Sequence, residues 1–163
     1  MSSSHSSHKK IFSLKTLLPV LTRKNRTGKK IVFTNGCFDI LHVGHVRYLQ
    51  KARTLGDVLV VGLNADSSVK KIKGAGRPVN SQRARAEVLA ALECVDYIVF
   101  FSGSTPLELI RAIRPQVLVK GGDWRKDKIV GAALVEAGGG LVRTLPFVPG
   151  FSTTRVLGKI SKH

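Results

Sequence analysis

The stretch Thr34-Asn35-Gly36-Cys37-Phe38-Asp39-Ile40-Leu41-His42-Val43-Gly44-His45 decides how this chain is read. The apolar run Ile31-Val32-Phe33 leads into it with the character of a buried strand. Val46, Leu49, Ala52 and Arg53 leave it at helical spacing, and Gly56 stops the run. A glycine-bearing loop therefore lies between a strand and a helix N-terminus, where unpaired N–H groups and the helix dipole favour phosphate. His42 and His45, three residues apart, share one side of the first helical turn. Gly44 between them lets a ligand come close to the backbone. Imidazole N–H groups placed there can donate to phosphate oxygens and stabilise charge that grows in a transition state. The alternatives are a metal pair or unrelated surface histidines. A metal site wants further ligands at recognisable spacing, and the other histidines, His5, His8 and His163, lie in the tails, so no metal ligands are assigned.

Further along, Val58 to Leu63, Asp96 to Phe101, Gln116 to Lys120 and Leu141 to Leu145 are apolar runs separated by helical patterns. Unbroken apolar strands alternating with helices predict a parallel sheet covered on both faces, five strands in all. Asp66 is placed to cap a short helix, and Asn80 or Ser81 to cap one running to about Leu92. Thr105-Pro106 opens the next helix, which ends before Pro115, and a further helix is expected from Asp127 to Ala137. Ser152 can cap a terminal helix. Before the first of these strands, Ile11, Leu14, Leu17, Leu18 and Leu21 form an amphipathic leader interrupted by Pro19, expected as one or two short helices. Residues 1–9 are Ser- and His-rich and read as a disordered tail, leaving 10–163 as one domain.

The basic groups cluster near glycines. Lys70, Lys71 and Lys73 precede Gly74-Ala75-Gly76-Arg77-Pro78, which is either a solvated surface turn or a clamp over a triphosphate. Lys120-Gly121-Gly122-Asp123 follows a strand directly, which is either a tight turn or a place for backbone beside a ligand. Ser152-Thr153-Thr154-Arg155 offers hydroxyls and a cation to a phosphate.

Taken together, Gly36-Cys37-Phe38-Asp39 with His42-Val43-Gly44-His45 resembles the signature of the cytidylyltransferase-like nucleotidyltransferases. Thr34-Asn35-Gly36-Cys37-Phe38-Asp39 resembles more narrowly the bacterial ADP-heptose synthases, as do Lys73-Gly74 with Arg77-Pro78-Val79-Asn80 and Lys120-Gly121-Gly122-Asp123. The resemblance runs over about residues 10–160. It implies a doubly wound sheet in the order 3-2-1-4-5, and AMP transfer from ATP to heptose 1-phosphate with release of pyrophosphate; the alternative of the same fold is a glycerol-phosphate or ethanolamine-phosphate cytidylyltransferase. It assigns His42, His45 and Lys73 to catalysis. It assigns Cys37, Phe38, Gly44, Arg77, Gly121, Ser152, Thr153 and Thr154 to the nucleotide, and Asn35, Asp39, Lys120, Gly122 and Asp123 to the sugar side. Asp39 and Asp123 are candidates for sugar hydroxyls or for orienting other groups, and Arg85 for phosphate or a carboxylate partner. Mg²⁺ is expected mainly on ATP phosphates. Pro149-Gly150-Phe151 stands where many family members have an acidic residue and glycine, so phosphate contacts there are better supported than base contacts. The resemblance further implies a cytoplasmic homo-oligomer.

Composition bounds the rivals. The formal charge is +17, of which the acid-free residues 1–30 carry +8. Such a balance fits a nucleic-acid-binding module, or a pocket for several phosphates on a solvated basic surface. The ten aromatic residues form no evident stacking face, which favours the pocket. A synthetase fragment would share the histidine loop, but no Lys-rich partner motif is present. The acid-poor, Ser-rich start has the composition of an organellar transit peptide, although the resembled family carries a similar leader. No apolar run reaches the roughly 20 residues needed to span a bilayer. Cys37 and Cys94 read as free thiols in a reducing compartment, with Cys37 as a nucleophile the minor alternative.

Overall fold

A computed structural model describes residues 9–122 and 124–160. The tail read as disordered lies outside the described residues except for Lys9, and Asp123 lies outside them too. Six parallel strands form one sheet: β1 (Ile11–Phe12), β2 (Ile31–Gly36), β3 (Val58–Asn64), β4 (Tyr97–Phe101), β5 (Val117–Gly121) and β6 (Leu141–Leu145). Their order is β1-β4-β3-β2-β5-β6. The five expected strands are β2 to β6 and follow the expected 3-2-1-4-5 order. The sixth comes from the leader, where Ile11 and Phe12 pair with Ile98 and Val99 at the edge.

Successive residues of the central strands are buried on opposite faces, which is why they carry no polar alternation. Ile31, Phe33 and Val60 pack with Leu17 and Leu21 of α1 (Leu14–Arg26), Leu109 and Ile110 of α5 (Leu107–Ile113), and Val135 of α6 (Ala132–Ala137). Val32, Leu59 and Val61 face Leu49 and Ala52 of α2 (Val43–Arg53) and Ala86 and Leu89 of α4 (Gln82–Ala90). Two further helices, α3 (Asp66–Lys73) and α7 (Thr153–Ile160), follow β3 and β6 at the carboxyl edge of the sheet.

Two open local expectations are resolved and two are corrected. The leader is a single helix, because Pro19 lies on the exposed side where water can meet the carbonyl it leaves unpaired; Ser13 caps it by accepting the Thr16 N–H at 3.2 Å. The expected helix from Asp127 splits into a 3₁₀ turn at Lys126–Lys128 and α6, broken by Gly131 at φ 85°. A Cβ at Gly131 would lie 2.6 Å from Ile110 Cδ1, so the break is also where backbone meets α5. Asp66 does not cap α3; Ala65 holds that position and Asp66 pairs with Arg85. Of the two candidate caps for α4, Ser81 accepts the Ala84 N–H, while Asn80 turns to Asp39.

Candidate active site

The loops that leave β2, β3, β4, β5 and β6 surround a cavity of about 930 Å³ at the carboxyl edge of the sheet. It lies where strand order reverses between β2 and β5, the place such sheets offer to ligands. Asn35, Cys37, Phe38, Asp39, His42, Gly44, His45, Lys73, Arg77, Lys120, Gly121, Ser152, Thr153 and Thr154 all line it. Gly122 does not. It is buried, its N–H donates to the Leu145 carbonyl at 2.8 Å, and it serves the cavity indirectly.

His42 takes the N-cap position of α2 with an extended backbone, but its side chain caps nothing. The N–H groups of Val43 and Gly44 at the first turn have no partner among the described residues, so they remain for an anion. The His42 and His45 rings stack with centroids 3.8 Å apart and planes 21° from parallel. Phe38, at φ 43°, sets its ring edge-on to His45 at 5.1 Å. Two glycines make this packing possible. A Cβ at Gly44 would lie 3.0 Å from the His42 ring, and one at Gly36 would lie 2.9 Å from Phe38 Cε2. Gly44 thus makes room for the stacked ring as well as lining the cavity. The Nδ1 atoms of both histidines are buried without a hydrogen-bond partner. Burial and the neighbouring His42 push His45 down to about 4, against an opposing Ile40 carbonyl, and burial also lowers His42. Both imidazoles are therefore neutral at pH 7, able to donate one N–H each.

Asp39 is the clasp between this loop and the basic one. Its carboxylate accepts from Val79 N at 2.8 Å, Asn80 N at 3.0 Å and Arg77 Nε at 2.6 Å, while its carbonyl accepts from Asn80 Nδ2. Burial alone would raise its pKa, but the Asn80 and Val79 N–H groups and the Arg77 guanidinium hold it below the usual carboxylate range. Of the two roles open to Asp39, this geometry matches orientation, not contact with sugar hydroxyls. Arg85 resolves similarly. It is 2% exposed and donates to the carbonyls of Cys37, Asn64 and Asn80 and to Asp66, so it ties three loops together instead of reaching a phosphate.

Lys120 reaches the cavity from the end of β5. Burial lowers its pKa, the Cys37 thiol opposes that shift, and its Nζ lies 6.0 Å from the Trp124 ring centre. The Cys37 thiol is itself pushed up by burial, against the pull of Lys73, Arg85 and Arg77, so it is held as a thiol and not as a nucleophilic thiolate. Lys73 ends α3 at the cavity mouth, and Ser152 caps α7 by accepting the Arg155 N–H at 3.1 Å. Among the described residues, no three His, Cys, Asp or Glu side chains come together as metal ligands.

Among the cavity residues that sequence reasoning missed are Tyr48, Trp124, Phe147 and Lys128. Tyr48, four residues beyond Gly44 on α2, was legible from helical spacing; its buried hydroxyl bonds Thr34 Oγ1 at 2.7 Å and is pushed up to about 12. Phe147 covers the two glycines at the end of β5: a Cβ at Gly122, φ 98°, would lie 2.7 Å from its ring, and one at Gly121 3.1 Å. No local pattern announces that contact, because it joins the ends of two strands.

A doubly wound sheet with paired histidines at an uncapped helix N-terminus defines a nucleotide-handling α/β domain. The chain belongs to the cytidylyltransferase-like family, whose pattern matches residues 33–156. It is similar to the bifunctional protein HldE of Geotalea uraniireducens, with 55% identity over 151 residues, 93% of this chain and 31% of that protein. HldE of Citrifermentans bemidjiense is 54% identical over 154 residues, 94% of this chain and 32% of that protein. The chain thus spans about a third of the length of these relatives. Among solved structures, a lipopolysaccharide core biosynthesis protein from Thermoplasma volcanium superposes with a TM-score of 0.60 at 27% identity, covering 74% of this chain and 98% of that one. Pantoate-beta-alanine ligase from Francisella tularensis shares the fold alone, with a TM-score of 0.57 at 15% identity over 94% of this chain and 78% of that one.

Proposed function

We propose that the chain transfers AMP from ATP to D-glycero-β-D-manno-heptose 1-phosphate, releasing pyrophosphate and forming ADP-heptose for lipopolysaccharide core or another surface glycan. The observation that carries this reading is the stacked His42–His45 pair at the uncapped start of α2, inside a cavity lined by Lys73, Arg77, Lys120 and Arg155. The Asp39 carboxylate in that cavity is taken up by Arg77, Val79 and Asn80 of the basic loop, so positive charge prevails around a polyanionic ligand. The likeness to HldE over nearly the whole chain supports the narrower choice of sugar phosphate and ATP.

The reaction is an in-line displacement. An ionised oxygen of the sugar 1-phosphate attacks the α-phosphorus of ATP, and the bond to the bridging oxygen of pyrophosphate breaks. A phosphate is already a nucleophile at pH 7, so the protein supplies position and electrostatics and no strong base is needed. His42 and His45 donate to the α-phosphoryl oxygens; Lys73 and Arg77 neutralise the leaving pyrophosphate. Ser152, Thr153 and Thr154 close on the phosphates from the start of α7. Mg²⁺ enters as part of the ATP substrate, bound mainly by its oxygens.

The compartment is the cytoplasm, where ATP is made and where Cys37 and Cys94 stay reduced. No helix among the described residues is long and apolar enough to cross a membrane. Exposed Leu134 and Leu141, beside the unpaired edge of β6, support self-association, which sedimentation velocity checks. Pyrophosphate release tests the reaction: it is expected with ATP plus heptose 1-phosphate, and not with CTP plus glycerol 3-phosphate.

A further inference from the structure

Much of the basic charge is not where the reaction needs it. Lys73, Arg77, Lys120, Lys128 and Arg155 line the cavity, but no residue before Asn35 does, so the acid-free residues 1–30 stand outside it. The topology explains why. All six strands are parallel, so all begin at one edge of the sheet, opposite the cavity, and the helices that return to them end there. Lys29 and Lys30 lead into β2 at the centre of that edge. Arg23, Lys24 and Arg26 form the last turn of α1 just before them. Arg114 leads into β5 alongside, where the Gln116 N–H donates to the Ile31 carbonyl at 3.0 Å.

Little at that edge offsets these cations. Asp57 accepts from Lys30 N at 2.8 Å and lies 3.9 Å from Lys29 Nζ. Asp96 accepts from Leu59 N at 2.7 Å and pairs with Arg53 at 3.0 Å. Glu93 and Glu136 precede β4 and β6, neither of which neighbours β2. Arg23, Lys24, Arg26, Lys30 and Arg114 form no ion pair among the described residues. The α1 dipole favours cations in its last turn, but that field falls off there and does not account for Lys29 and Lys30.

We propose that this edge is a docking surface for an anionic lipid bilayer. The cations are spread over a helix end, a loop and strand starts, so they meet a field and not one seated phosphate. A bilayer with anionic headgroups supplies such a field, in which each nearby Lys or Arg contributes without a fixed partner. Nucleic acid fits less well. Single strands want rings to stack on, and the exposed rings Trp124, Phe147 and Phe151 all line the cavity at the other edge. A duplex wants an element that enters a groove, and this edge presents strand starts and helix ends. Docked by this edge, the chain keeps its cavity toward solvent, open to its substrates. The assignment stands apart from the adenylyltransferase reading, since none of its residues lines the cavity.

The test is co-sedimentation of the whole chain with vesicles of phosphatidylglycerol mixed with phosphatidylcholine, and with vesicles of phosphatidylcholine alone. Binding is expected to the anionic vesicles only, and is expected to vanish in about 1 M salt, where the screening length is about 3 Å. Arg26→Gln with Lys29→Gln and Lys30→Gln is expected to lower the partition roughly a hundred-fold, at about five-fold per cation. Lys70→Gln with Lys71→Gln and Lys126→Gln removes equal charge near the cavity edge and is expected to change the partition by less than about five-fold. Thermal midpoints are recorded for both variants. Absence of wild-type binding to the anionic vesicles overturns the proposal. So does an equal loss in both variants, which makes net charge the cause and not this edge. A duplex oligonucleotide that displaces the vesicles, and that loses affinity only in the first variant, assigns the edge to nucleic acid and overturns the lipid reading. Partition is measured without turnover, so the result holds whether or not the chain transfers AMP.

Discussion

The rings of His42 and His45 lie face to face at 3.8 Å, and neither Nδ1 has a partner. Two charges at that distance repel, and burial disfavours each of them, so the fold favours the neutral form of both rings. On the proposed reaction, the phosphates of ATP would reverse that balance. At pH 6, nucleotide binding is expected to take up protons from solution. Calorimetry in buffers of different ionisation enthalpy measures the uptake, and its absence would mean the phosphates do not reach the pair.

The same pair makes stability depend on pH. His45 is held near 4 in the folded chain against an ordinary value of 6.5, so between those values the unfolded chain binds more protons. Stability is expected to fall as pH drops from about 6.5 to about 4, by up to ~3 kcal/mol at roughly 1.4 kcal/mol per unit. His45→Gln should flatten that part of the curve, measured as the denaturation midpoint against pH.

On the proposed reaction, His45→Ala removes a donor to the transition state. It is expected to lower turnover by roughly 10²–10³ with little change in the thermal midpoint at pH 7. Activity within a few-fold of wild type would remove the histidine from catalysis.

Asp39→Asn replaces one acceptor oxygen by an N–H₂ group facing donors, Val79 N, Asn80 N or Arg77 Nε. The expected result is about 1–3 kcal/mol of lost stability from the unmatched groups. Because Arg77 and the adjoining Lys73 lose their anchor, KM for ATP should rise more than KM for the sugar phosphate. A rise confined to the sugar phosphate would make Asp39 a direct sugar contact.

Much of this was legible in the chain. Ile31-Val32-Phe33 and Val58 to Leu63 read as doubly covered strands because residues facing either way are apolar, and no loop contact can mask that. The strand–loop–histidine stretch was equally local. What escaped depends on distant partners. Arg85 could not be told from a phosphate ligand until three carbonyls from separate loops converged on it. The edge strand Ile11–Phe12 is two residues long, too short for alternation to register. Gly131 lay unremarked inside an apparent helix, since its reason is the Ile110 side chain on another element. Gly131→Ala is accordingly expected to cost about 1–3 kcal/mol through overpacking and a positive φ, read in chemical denaturation.

The most direct measurement of the central claim uses ATP labelled at the α-phosphorus, Mg²⁺ and heptose 1-phosphate, with products separated and weighed. The label is expected in ADP-heptose, with unlabelled pyrophosphate formed in equal amount. Label left in ATP under these conditions, with CDP-glycerol formed when CTP and glycerol 3-phosphate are offered together in its place, would contradict the adenylyltransferase assignment.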